Sequence, residues 1–254
     1  ARIVFTSEPP GLFSVLVDGH GQAEQIVAED PEGARVRSFA IEARSTRVVF
    51  SLGEDGAPAG LFSAPIDGRE PPVRLSPLRA WSYAGTPPGP APEAGVLDFP
   101  LAPDGAWVLF RLRAGETHLF VVPTDGSAPA RHLASGVDLA AFTPDSTRTV
   151  YRAGSGTSAE LLVEAHDGSA DALVLHAPAQ GGEALALLAG AALFVESPSG
   201  AGAAQLFQVE LSGQRRARPL SLELSAGRTI RAFRASPDQR HVVFSADADA
   251  AGVF

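Results

Sequence analysis

A large apolar residue followed five positions later by a two-residue turn recurs five times along this chain. Phe13 precedes Asp18-Gly19, Phe62 precedes Asp67-Gly68, and Phe120 precedes Asp125-Gly126. Leu162 precedes Asp167-Gly168, and Phe207 precedes Ser212-Gly213. The turns begin at positions 18, 67, 125, 167 and 212, so successive repeats are 42 to 58 residues apart. Asp-Gly supplies the positive φ that a tight hairpin needs. No segment of useful length holds apolar residues at helical spacing without an interrupting Gly or Pro. A period in the forties built from short strands marks a β-propeller, one unit per blade. The expected fold class is therefore all-β, a β-propeller of four-stranded antiparallel blades.

Each repeat reads as four strands. The innermost, a, is apolar and falls at 36–41, 96–101, 137–142, 184–188 and 230–235. A Pro-Asp-x turn follows, clearest at Pro103-Asp104-Gly105, Pro144-Asp145-Ser146 and Pro237-Asp238-Gln239. Pro presets φ there, and Asp bonds the backbone two residues on. Strand b ends in an aromatic seven residues after the Pro, at Phe110, Tyr151 and Phe244. Phe5, Phe50 and Phe194 hold that place in repeats whose turn is missing or degraded. Strand c carries the Phe or Leu and the Asp-Gly turn, and d is a short outer strand such as 73–76 or 172–176. Stacked blades would cover strands a to c on both sides, with the large rings of b and c filling the space between blades.

The repeats lay out 1–254 as a single propeller domain, with blades near 1–33, 34–77, 95–135, 136–180 and 181–224. A partial blade covers 228–254, and 77–94 is a long proline-rich loop. The first blade begins at strand b. Phe254, at the other end, holds the position of Phe13, Phe62 and Phe120. The expectation is five blades plus part of a sixth, in a parent of six or more blades. Further repeats or domains of the same parent would adjoin it. A chain without Met that opens directly on a strand reads as a mature or excised piece.

Composition narrows the function classes. Hydrophobic residues make up 45% of the 254, enough for a substantial core, and the net charge is −9. That charge argues against nucleic acid, which needs clustered Lys and Arg, and against anionic lipid. Without cysteine there are no disulfides and no thiolate metal sites. No run of eighteen apolar residues exists, so no membrane insertion is expected.

The segment 99–133, FPLAPDGAWVLFRLRAGETHLFVVPTDGSAPARHL, resembles the TolB-like, WD-repeat-like propeller repeat. In that family SPDG-x-x-[IV]-x-[FY] precedes [LI]-[FY]-V-x-x-x-DG. Ser236-Pro237-Asp238 with Phe244 matches the first part, as does Pro144-Asp145 with Tyr151. The resemblance implies a bacterial protein in the periplasm or outside the cell. Such repeats also occur in prolyl-oligopeptidase-type peptidases and oligogalacturonate-lyase-like enzymes. The latter use several His and a divalent metal, a set with no residue-by-residue counterpart here.

Candidate binding residues lie on the face that carries the d–a and b–c loops. The loops of this set, at 6–11, 53–60, 113–117, 153–159, 196–204 and 245–251, are expected to be long and varied. The loop 77–94 is the outlier and holds Trp81, Tyr83 and Arg79, the composition of an interaction hot spot. The other reading has Trp81 and Tyr83 packing on a blade. His118, beside Glu116 at the start of a c strand, is the remaining candidate for a loop-face acid or ligand.

The histidines show no His-x₃-His or His-Glu-x-x-His spacing, and no Gly-x-Ser-x-Gly elbow exists. Asp247 and Asp249, with Glu54-Asp55, read as solvated loop acids, and Arg215, Arg216 and Arg218 as a solvated edge. Gly154 to Ser158 is a flexible loop. The chain is expected to have no catalytic residue, metal or cofactor, and to bind a protein or peptide through its loop face or channel. Two alternatives stand: the propeller part of an enzyme, lyase-like or gating a peptidase, and a structural segment of an extracellular assembly.

Overall fold

The computed structural model describes residues 1–7, 11–18, 20–27, 35–53, 60–77, 95–154, 158–177, 184–197, 204–225 and 227–247. The chain divides into two compact units, Ala1–Ser135 and Gly136–Phe254. Among the described residues no helix is long and apolar enough to cross a membrane.

The first unit holds three antiparallel sheets. The first is β1 (Arg2–Ser7), β2 (Gly11–Leu16) and β3 (Glu24–Val27). The second is β4 (Arg35–Ile41), β5 (Arg47–Gly53), β6 (Gly60–Pro65) and β7 (Val73–Arg74). The third is β8 (Gly95–Asp98), β9 (Trp107–Ala114), β10 (Glu116–Pro123) and β11 (Arg131–Ser135).

The second unit holds three more. The fourth sheet is β12 (Leu139–Phe142), β13 (Arg148–Ala153), β14 (Glu160–Ala165) and β15 (Leu173–His176). The fifth is β16 (Leu185–Leu187), β17 (Ala191–Glu196), β18 (Gln205–Glu210) and β19 (Arg218–Pro219), and the sixth is β20 (Ile230–Ala235) with β21 (Val242–Ala246). In every sheet the strands pair in chain order, so each four-stranded sheet is the up-and-down meander of one repeat.

The turns are built as their residues dictate. Oδ1 of Asp67, Asp125 and Asp167 accepts the backbone N–H two residues on, at 3.2, 2.9 and 2.9 Å. The glycine after each has φ near 70°, as does Gly213. The Pro-Asp-x turns do the same: Asp104, Asp145 and Asp238 accept from Ala106, Thr147 and Arg240. Gly105, Ser146 and Gln239 carry the positive φ.

The second repeat has no Pro-Asp turn and closes differently. The buried Glu42 carboxylate accepts N–H bonds from Arg44, Thr46 and Arg47 and the Thr46 hydroxyl. Ser45 there takes the positive φ. Burial pushes the Glu42 pKa up, but the N–H groups of Thr46 and Arg44 outweigh it and hold the carboxyl below its ordinary range.

The two marks of the repeat are direct cross-strand partners. Phe5 faces Phe13, Phe50 faces Phe62, Phe110 faces Phe120, Tyr151 faces Leu162 and Phe194 faces Phe207. The Phe110 and Phe120 rings stack 5.1 Å apart. Each b aromatic packs on the sheet before it within its unit. Phe50 joins Val4, Leu12 and Ile26; Phe110 joins Val49, Leu61 and Leu75; Phe194 joins Val150, Leu161 and Leu175.

The turn glycines approach the same neighbour. A Cβ on Gly68 would lie 2.7 Å from the Gln25 carbonyl oxygen of β3. On Gly213 it would lie 2.7 Å from Leu173 of β15.

Two expectations are corrected. In the second to fifth sheets strands b and c are largely buried, but the a strands are not covered on both sides: in β4 Phe39 and Ile41 are more than a third exposed, and in β8 Leu97 is about half exposed. Strand a is the edge of its sheet, with no partner strand on its outer side. The b–c connection at 113–117 is also not a long loop. The ladder runs to Glu116 opposite Ala114, and Gly115, at φ 79°, turns the chain alone.

Candidate functional site

Trp81, Tyr83 and Arg79 lie outside the described residues, as do Glu54-Asp55 and Asp249. The remaining pair is placed, and it does not form one site. Glu116 is exposed at the tip of the β9–β10 hairpin. His118 is buried, its Nδ1 2.9 Å from the Ser135 hydroxyl. The His132 Nε2 stands 3.4 Å from the same hydroxyl, and its ring packs edge-on to Phe120.

A serine bonded to an imidazole invites comparison with a nucleophile and its base. Strand pairing explains it more simply, since His118 and Ser135 are direct cross-strand partners of β10 and β11. Ser76 and Ser221 end the d segments of the second and fifth sheets, where each hydroxyl accepts the N–H of the facing c strand, from Leu61 and Leu206. The corresponding residue of the third sheet is Ala134; Ser135 stands one position further on, directly opposite His118 in the β10–β11 ladder.

Other polar groups are similarly absorbed. Arg111 pairs with Asp98, and Arg152 with Asp138, each across strands a and b. Asp247 takes the Arg231 guanidinium at 2.7 Å and the Thr229 N–H. The Arg231 hydrogen bond and then that N–H hold its carboxyl below the ordinary range. Arg215 pairs with Glu210, and Arg218 bonds Gln208 at 2.7 Å. Among the described residues no group of three or more His, Asp or Glu side chains is placed to hold a metal ion.

One ionisable pair departs from the repeat. His176 Nε2 lies 2.7 Å from Glu196 Oε2, bridging the fourth and fifth sheets. Its ring rests on Phe194 and Phe207. In the second and third sheets the corresponding positions hold Ser76, which accepts the Leu61 N–H, and the apolar Leu112.

Among the described residues of the second unit, a groove of about 730 Å³ runs along the inner strands. It is lined by 139–141 from β12, 184–188 around β16 and 232–236 from β20, with Pro237 and Gln239 at its end. The walls are Leu, Ala and Phe, and Arg234 is the one ionisable residue among them. The volume falls within the range of small-ligand and peptide pockets, about 300–1,000 Å³. Sequence reading missed this surface because it took the a strands as covered. The available signal was the recurrence of small residues there, at Ala140-Ala141, Ala184, Ala186, Ala232 and Ala235.

No protein-family model matches the chain, and no curated protein matches it either. Solved structures do. The crystal structure of a eukaryotic initiation factor aligns over 96% of this chain at a TM-score of 0.63 and 13% identity. A puromycin hydrolase aligns over 92% at 0.53 and 18% identity. This chain spans about half of the first, 55%, and 37% of the second. A TolB-type protein from Agrobacterium tumefaciens aligns over 87% of this chain and 76% of its own, at 0.46 and 13% identity, too low a score to distinguish propeller types. The first two likenesses show the fold, an all-β propeller of four-stranded antiparallel blades, and the fold alone.

Proposed function

We propose that the chain is a non-enzymatic propeller scaffold that binds a protein or peptide partner, with the inner-strand groove of the second unit as the binding surface. The observation that carries this reading is the groove itself: an open, mostly apolar concavity on rigid strands. Meanwhile the His118–Ser135 contact is that of two direct cross-strand partners. Binding would come from shape and from hydrogen bonds to a preformed surface, at little cost in ordering the scaffold. The likeness of the repeats to the TolB-like family supports a bacterial, periplasmic or extracellular setting for this role.

The test is selection of peptides from a random library on the immobilised chain, with the Ala232→Trp variant as counter-target. Ala232 is exposed within the groove, so the indole fills it without entering the core. Selected peptides should bind the chain and lose at least about tenfold on the variant. Peptides indifferent to Ala232→Trp would move the site elsewhere. Turnover of uronate polymers, esters or peptides, with or without divalent metal, would overturn the non-enzymatic half.

A further inference from the structure

We propose that the groove of the second unit binds an apolar peptide segment ending in a free α-carboxylate, which Arg234 pairs while the inner-strand edges bond the peptide backbone. The inference rests on the peptide-binding reading above and specifies its ligand.

Arg234 is the starting point. It lies on β20, exposed, on the same side of the strand as Ala232 and facing the groove. Three arginines beside inner strands are used within the fold: Arg111 with Asp98, Arg152 with Asp138 and Arg231 with Asp247. The Arg234 guanidinium has no ionic or hydrogen-bonding partner among the described residues. A guanidinium presents a planar fork that fits a carboxylate with two parallel bonds. A guanidinium without a partner among the described residues, set in a groove lined mainly by Leu and Ala, favours an anion at that point.

The walls limit what else the ligand carries. Leu139, Leu185, Leu187 and Phe233 surround the site, and among the described residues no second ionisable side chain lines it. A further charge on the ligand would lose water without gaining a partner. The ligand is therefore apolar apart from one carboxylate.

The strand edges select a peptide over an alkyl chain. β12 and β16 are terminal strands of their sheets, and β20 pairs only with β21. Each turns toward its free side the N–H and C=O groups that its one ladder leaves over. An extended peptide bonds such groups by strand addition, whereas a fatty acid has no donors or acceptors along its length.

The test is fluorescence anisotropy of N-terminally fluorescein-labelled Ser-Gly-Ala-Val-Leu-Val, as the free acid and as the C-terminal amide, with the 254-residue chain. The acid should bind at least tenfold more tightly than the amide. Arg234→Gln should reduce the acid to the affinity of the amide while leaving the amide unchanged, and Ala232→Trp should weaken both. Unlabelled dodecanoate should displace the acid poorly. Unchanged unfolding midpoints certify the variants.

Equal binding of acid and amide, abolished by Ala232→Trp, would overturn this inference and leave the peptide-binding reading standing. Displacement by dodecanoate at the potency of the peptide would make the groove an amphiphile site and overturn it too. Failure of both labelled peptides on the unsubstituted chain also counts against it. Failure of the library selection to yield any groove-dependent peptide would remove the broader reading as well.

Discussion

A Cβ built on Gly126 lies 2.6 Å from Cγ1 of Val73, so the turn of the third sheet closes directly on the outer strand of the second. Gly126 also has φ 69°. Two independent demands therefore meet at one residue: backbone conformation and close approach between blades.

Gly115 separates those demands. Its φ is 79°, but a Cβ there meets nothing within 4 Å. Gly115→Ala is expected to cost about 1–2 kcal/mol, the penalty of an L-residue in the left-handed region. Gly126→Ala adds overpacking and is expected to cost about 2–4 kcal/mol. Val73→Ala in that background should recover the difference. Equilibrium urea unfolding of the three variants measures it; equal costs for Gly115→Ala and Gly126→Ala would remove the packing argument.

The stacked aromatics should dominate stability. Phe110 and Phe120 are both essentially fully buried. Phe110→Ala is expected to cost about 3–5 kcal/mol. Phe5→Ala, at a half-buried position of the same repeat register, should cost clearly less. Unfolding midpoints that rank the two the other way would contradict the assignment of the core.

Glu42 makes the second repeat sensitive to acid. Its folded pKa is lowered, so its contribution is fully present above the ordinary carboxylate range and is lost as pH falls through the folded value. Glu42→Gln keeps one acceptor oxygen and loses the other. It should lower stability at pH 7 by about 1–3 kcal/mol and flatten the decline between pH 7 and pH 3. Parallel pH profiles for the two proteins would show that the carboxylate is not the group responsible.

His176 and Glu196 are expected to behave as a unit. His176→Leu leaves the nearly buried Glu196 without its imidazole partner and should cost about 1–3 kcal/mol. The double replacement by Leu removes both polar groups together, so that neither is left buried without its partner, and should be less destabilised than either single variant. Additive losses in a double-mutant cycle would argue against a specific pairing.

Much of the fold was legible in the chain because its determinants are local. Asp125-Gly126 and Pro103-Asp104-Gly105 announce turns through the φ values and side-chain bonds they require. The spacing from turn to ring put Phe110 at the end of strand b and Phe120 on strand c, and the ladder makes them partners. Relations between repeats were not legible in the same way. Glu42 replaces a Pro-Asp turn with a carboxylate reaching three N–H groups, which no dipeptide rule anticipates. His176 and Glu196 are 20 residues apart in different sheets and meet only when the sheets stack. The groove arises from three inner strands lying side by side, so the partnerless Arg234 could not be told from any other strand arginine by sequence. The aromatic loop that the sequence singled out, with Trp81 and Tyr83, lies outside the described residues.

The central claim is that the inner-strand groove is where a peptide docks, and amide hydrogen–deuterium exchange reads this directly. With and without a saturating library-selected peptide, protection should rise at 139–141, 184–188 and 232–236, the residues that line the groove. The outer strands β7 and β15 should not change. Protection confined to those outer strands, or to the β9–β10 hairpin around Glu116, would contradict the account.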